Sequence, residues 1–259
     1  GEGKLLTQTN DNGTSRENTY NNQRAWPTTI TYKQGSTTTM EYGLTYDGGS
    51  NTVGNLTGVT ETGGATVSYE YDDLYRLTEE TRSSPSYTRT YGYDLAGNPT
   101  TINGSSFATF DDANKITQVS GKAVTSDNDG NITSIATTSP LPFKTLSWSN
   151  QNKATTVYPT SSGQIDYKYM YDGKRFYSKA TSGMTSRVYY IFAGDTLIGE
   201  VTTSTPTTAY TWGPDGLISK RNLSSSTSHW YEFGPQGETR TLRNSSGTST
   251  DTYYYNAYG

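Results

Sequence analysis

Between residues 65 and 71 the chain alternates smaller or polar side chains with rings and valine: Ala65-Thr66-Val67-Ser68-Tyr69-Glu70-Tyr71. A period of two marks a half-buried antiparallel strand, because successive side chains point to opposite faces. Tyr69 and Tyr71 therefore share one face. Asp72-Asp73-Leu74-Tyr75-Arg76 follows as a turn whose carboxylates accept backbone amides, and Leu77-Thr78 opens the next strand. No stretch of useful length carries the period of an amphipathic helix. The pattern predicts an all-β chain.

The strand–turn–strand unit recurs. Tyr46-Asp47-Gly48-Gly49 with Gly54-Asn55-Leu56-Thr57 is a first copy with a longer turn. Tyr71-Asp72, Tyr93-Asp94, Phe110-Asp111, Asp127, the weaker Trp148-Ser149 and Tyr171-Asp172 continue the series. Counted from Asp72 to Asp172, with Ser149 standing in for Asp, the spacings are 22, 17, 16, 22 and 23. Such a period holds two strands of about six residues and two turns. It is too short for a strand–helix–strand crossover. Gly97, Asn114, Gly130 and Asn152 occupy matching turn positions, where a positive φ is expected. Leu56, Leu77, Ile116 and Ile132 are expected on the packed side, and Pro99 at a strand start or an edge. The repeated aspartates read as turn caps. Their spacing does not make a paired acid–base site.

From residue 186 the texture changes. Val188-Tyr189-Tyr190-Ile191-Phe192 and Leu197-Ile198-Gly199-Glu200-Val201 flank a turn, and further hairpins follow around Gly213-Pro214-Asp215-Gly216, Gly234-Pro235-Gln236-Gly237 and Asn244-Ser245-Ser246-Gly247. The expected organisation is a polar strand and turn segment over 1–39, repeats over 40–185, and a second kind of hairpin over 186–259. Starting at Gly1 and stopping at Gly259 in mid-motif, the sequence reads as a fragment or processed product.

Composition narrows the function. Only 30% of residues are apolar, yet 23 are Tyr and charged residues are 17%, a balance that favours a folded sheet over disorder. The net charge of −4 supplies no basic stripe, so nucleic acid is not an expected partner. Cysteine is absent, which removes disulfides and thiolate chemistry. No segment has the length and apolarity of a membrane span, and the polar first residues show no signal peptide. His229 is the sole histidine, too few for a usual zinc site. Asp127-Asn128-Asp129-Gly130-Asn131 resembles a calcium loop in composition but has Thr138 where a bidentate Glu is required. No catalytic group, metal or cofactor is expected. Glycosylation sequons stand at Asn12, Asn55, Asn103, Asn131, Asn222 and Asn244.

The Tyr-Asp units at Tyr46-Asp47, Tyr71-Asp72, Tyr93-Asp94 and Tyr171-Asp172, with the closing run Tyr255-Asn256-Ala257-Tyr258-Gly259, resemble the RHS/YD-repeat family. That family includes the shells of bacterial polymorphic toxins and Tc-toxin C components, and the teneurin barrel. The resemblance covers roughly residues 40–259, and the C-terminal third is similar to the RHS-associated core. It implies a spiralling sheet of repeated antiparallel hairpins, as an open strip or a partial shell or barrel. It also implies a container for another domain. The aspartic protease-like site of some members lies past the segment present here, and no Asp pair carries over.

The leading expectation is a secreted or cell-surface scaffold that encloses or displays another domain, or assembles into a surface structure or filament. Its partners would be flanking domains of a longer polypeptide or further copies. The alternative is an adhesion module for carbohydrate or a surface receptor, in which Trp26, Trp148, Trp212 and Trp230 converge on an exposed patch.

Overall fold

The computed structural model describes residues 4–21, 24–48, 53–136, 142–161, 163–182, 186–214 and 216–258. Gly1, Gly49, Thr138, Asp215 and Gly259, used in the sequence reading, lie outside the described residues. The described residues contain no helix and form 25 strands. Ten, from Thr7–Thr9 to Ser105–Ser106, make one sheet, and fifteen, from Ala108–Phe110 to Ser249–Thr252, make the other. Strand order equals sequence order in both, and neighbours run antiparallel, so the topology is a meander of hairpins without crossovers. The first and last strands of each sheet are not neighbours, so neither sheet closes into a barrel.

Two compact units result: Gly1–Thr90 with Thr211–Arg221 and Ser226–Gly259, and Tyr91–Tyr210 with Asn222–Ser225. The first holds a concentrated core of Ile30, Tyr32, Tyr42, Leu44, Val59 and Val67, with Met40, Tyr46, Leu56 and Tyr69 packed against it. Register explains the assembly. Ile30 lies opposite Tyr42, Leu44 opposite Val59, and Val59 opposite Val67, so one face of four strands is continuous. Fully burying one such aliphatic side chain stabilises by about 2 kcal/mol.

The second unit buries fewer apolar side chains, chiefly Tyr91, Ala108, Val119 and Ile135. It adds ring and guanidinium contacts. Phe176 and Tyr177 lie 5.3 and 5.7 Å from Tyr189, Arg187 sits 4.8 Å from the Tyr177 ring centre, and Arg175 sits 4.4 Å from that of Tyr167.

One turn geometry recurs in nine of the hairpins. Its first residue donates its N–H to the carbonyl four residues on and accepts from the N–H three residues on; turns starting at Asn10, Asp72, Asp94, Asp111, Asp127, Ser149, Met170, Gly234 and Asn244 share it. The fourth residue always has positive φ: Gly13, Tyr75, Gly97, Asn114, Gly130, Asn152, Gly173, Gly237 and Gly247. Where the first residue is Asp, its Oδ1 also accepts the amides of the third and fifth residues at 2.8–3.0 Å. Ser149 Oγ makes the same pair at 3.2 and 3.3 Å, and Asn244 Oδ1 at 3.0 and 2.9 Å. Pro99 opens the strand Pro99–Ile102.

One turn differs from the sequence alignment. Met170, not Asp172, is the first residue of its turn, bonded to Lys174 O and Gly173 N. Asp172 sits two positions later, accepting from the Lys174 amide at 3.1 Å and its ammonium at 2.7 Å. The backbone pattern of the turn is indifferent to the first side chain, so Met170 holds it without a carboxylate.

Candidate functional site

The rings that end the outgoing strands have a common task. Tyr46 OH donates to Pro27 O at 2.9 Å, Tyr71 OH to Leu56 O at 2.8 Å, Tyr169 OH to Ala154 O at 2.8 Å, and Trp148 Nε1 to Ile132 O at 2.7 Å. Each acceptor opens the preceding strand of the same hairpin. The ring body packs on the sheet while its polar tip satisfies a strand-end carbonyl. Tyr171 makes no such clamp and is 98% exposed, because Tyr169-Met170 holds the geometric position that Tyr171-Asp172 suggests in sequence. Tyr93 ends its strand opposite Pro99. Asp47 caps the longer turn, donating to Asn55 O and accepting from Gly54 N, both at 2.9 Å.

Adjacent turns also touch in the second unit. Asn98 Nδ2 donates to Asn114 Oδ1 at 3.0 Å, and Asn131 Nδ2 to Asn152 Oδ1 at 2.9 Å. Asp94, Asp127 and Asp172 are held below the usual carboxylate range, led by side-chain hydrogen bonds from Asn98, Asn131 and Lys174 respectively. Asp72 is lowered in the same direction, led by the Arg76 amide. Asp111 caps its turn through the amides of Ala113 and Lys115. These carboxylates are committed to turns and do not converge as an acid–base pair.

The sequons divide by use. Asn12 Nδ2 donates to Asn244 O, and Asn131 Nδ2 to Asp127 and Asn152. Asn222 and Asn244 accept turn amides through Oδ1. The Asn55 carbonyl accepts from Asp47, and Asn103 is exposed at a hairpin tip with φ 52°. Trp26 packs on Tyr46 with centroids 5.0 Å apart and the rings tilted by 37°, and Trp148 is taken up by its bond to Ile132. Trp212 is 43% exposed and Trp230 is half-buried. His229 is half-buried within Thr227–Phe233. Among the described residues, no group of three or more His, Asp or Glu side chains is placed to hold a metal ion.

The densest polar cluster lies in the first unit, and sequence reasoning missed it. Glu61, at the end of Leu56–Glu61, takes both Arg82 guanidinium nitrogens, Nη1 at 3.0 Å and Nη2 in a short contact, and Arg240 Nη2 at 3.1 Å. All three residues are buried. Burial alone would raise the Glu61 pKa; the Arg82 hydrogen bond and the charges of Arg240 and Arg82 outweigh it and hold the carboxyl low. Beside it, Glu80 is 1% exposed and accepts from Tyr87 OH at 2.7 Å and from Ala257 N at 2.9 Å. Burial, then the Glu80 hydrogen bond, push the Tyr87 hydroxyl up, so it remains a donor. Glu232 pairs with Arg243 Nε at 2.6 Å, and the Tyr32 hydroxyl both donates to Phe233 O and accepts its N–H. The partners are separated by 21, 179 and 201 residues, so no local pattern signals them. The arrangement fastens the early strands of the unit to its last hairpins. It presents no nucleophile–base pair.

The comparisons agree with this architecture. Over 203 residues the chain is 28% identical to the tRNA3(Ser)-specific nuclease WapA of Bacillus spizizenii and 27% identical to the tRNA nuclease WapA of Bacillus subtilis. The match covers 73% of this chain but only 8% of each relative. The solved structure of TcdB2-TccC3-TEV superposes with a TM-score of 0.68 at 17% identity, and the Photorhabdus luminescens Tc holotoxin pore with 0.66 at 16%. Each covers 98% of this chain, which spans 15% of the matched chain. TcdB2-TccC3 without its hypervariable C-terminal region gives the same 98% coverage, so the shared fold is not that region. With the teneurin YD-shell family matched over residues 2–198, and a hairpin meander clamped by ring-and-turn units, the chain belongs to that family and is a piece of YD-repeat structural shell.

Proposed function

We propose that the chain is a wall segment of a larger extracellular YD-repeat shell, enclosing or displaying a flanking domain and performing no catalysis itself. The unclosed meander carries this reading: Thr7–Thr9 and Ser249–Thr252, at the two ends of the strand series, each pair on one side only, and Ser249–Thr252 is exposed along its whole length. An open edge is a template for the next strand of a longer wall. The proportions agree, since the chain aligns with 15% of a shell chain and 8% of a WapA protein. On this reading, nuclease activity is not expected of this segment.

Two measurements test the reading. Incubation of the purified chain with bulk tRNA and Mg2+ should leave the RNA intact; cleavage would place chemistry in this segment. Light scattering and electron microscopy should show discrete particles. Extended fibres growing with concentration would replace a wall segment with a polymer, and binding to a glycan array would favour the adhesion alternative.

A further inference from the structure

We infer that residues Tyr253–Tyr258 are a latch, seated in a groove of the first unit that recognises an extended tyrosine-bearing peptide. After the strand Ser249–Thr252, residues 253–256 run on without strand pairing and residues 257–258 form a turn. Tyr253 N donates to Arg240 O at 2.8 Å. The next ring, Tyr254, lies 5.6 Å from the Arg82 guanidinium and 5.3 Å from that of Arg240. Tyr255 and Asn256 line a cavity of about 70 Å3 together with Glu61, Glu80, Arg82 and Arg240. Ala257 N then donates to Glu80 Oε2 at 2.9 Å, a contact across 177 residues. Tyr258 N closes on Asn256 Oδ1 at 2.8 Å.

The chemistry of the groove favours this occupant. Two guanidiniums share the one Glu61 carboxylate, and both lie within cation–π range of the single Tyr254 ring. Glu80 is a buried carboxylate, and a buried carboxylate requires donors. Any backbone supplies an N–H donor, whereas only an aromatic side chain supplies the ring three residues earlier. The groove therefore reads the pair: a ring over Arg82 and Arg240, and an amide on Glu80. Filled by the chain's own segment, it ties Leu77–Ser83 to Thr239–Arg243 and fixes the path of the backbone after Ser249–Thr252.

Tyr254 is 63% exposed, so its replacement tests the latch without opening the core. Amide hydrogen exchange is followed in the whole chain, in Tyr254→Ala and in Tyr254→Phe. Tyr254→Ala should speed exchange at Ala257 about tenfold or more while amides of Thr37–Tyr46 keep their protection, and chymotrypsin should cut at Tyr253–Tyr255 correspondingly faster. Tyr254→Phe keeps the ring and should behave as the parent. An Ala257 amide already unprotected in the parent, or equal protection in parent and Tyr254→Ala, overturns the latch.

Discussion

The Tyr71 hydroxyl donates to the Leu56 carbonyl at 2.8 Å, and Tyr169 repeats the bond to Ala154 at the same separation of 15 residues. Each joins the end of one strand to the start of its hairpin partner. A phenyl ring at either position would fill the same space and leave the carbonyl to find another donor.

Tyr71→Phe and Tyr169→Phe should therefore each lower unfolding free energy by about 1 kcal/mol in urea titration. Tyr171→Phe should leave it unchanged, since that side chain stands in solvent. A larger loss at residue 171 than at residue 169 would contradict the assignment of Met170 as the first residue of its turn.

That pair also shows where sequence reading stops. The turns at Asp72, Asp94, Asp111 and Asp127 were legible because every determinant lies within five residues: a carboxylate, two amides it accepts, and, in all but the Asp72 turn, a Gly or Asn able to take positive φ. Tyr171-Asp172 has the same letters but not the geometry, because alternation places Tyr169 on the clamping face and the turn closes on backbone bonds alone. Glu61, Arg82 and Arg240 were illegible for a different reason. On strands, charges separated by polar residues read as a solvated face, and their burial depends on a hairpin 179 residues away.

Tyr75 is the one ring among the nine positive-φ turn positions, at φ 63°, with its side chain 58% exposed. An L-residue other than Gly, Asn or Asp pays about 1–2 kcal/mol there. Tyr75→Asn, matching Asn114 and Asn152, should raise stability by about 1 kcal/mol, seen as a higher melting temperature. A neutral or lowered midpoint would mean that the exposed ring makes a compensating contact.

Gly54 tests the opposite case. Its φ is +94°, and a Cβ added there would fall inside the Trp26 indole. Trp26 is held against Tyr46, whose hydroxyl clamps Pro27. Gly54→Ala combines backbone strain with displacement of that ring, so a loss of about 2–4 kcal/mol is expected. Tyr46 and Trp26 should lose their mutual nuclear Overhauser contacts in the same variant.

Glu61 makes the strongest demand on pH. Its folded carboxyl is held below its unfolded value by Arg82 and Arg240, against the opposing effect of burial. A group lowered on folding contributes fully above its unfolded pKa, about 4.3 for Glu, and the contribution disappears as pH falls through the folded value. Unfolding free energy should therefore decline below about pH 4.3, with the capped aspartates adding to the fall in the same direction. Glu61→Gln removes the charge while keeping the shape, and leaves Arg82 and Arg240 buried without their shared anion. It should cost about 3–5 kcal/mol at neutral pH. Because protonation turns the parent carboxyl into a neutral group as well, the gap between parent and Glu61→Gln should narrow steadily in acid. Parallel stability curves across that range would show that the two arginines draw their compensation from elsewhere, and that Glu61 is not the tie between the early strands and the last hairpins.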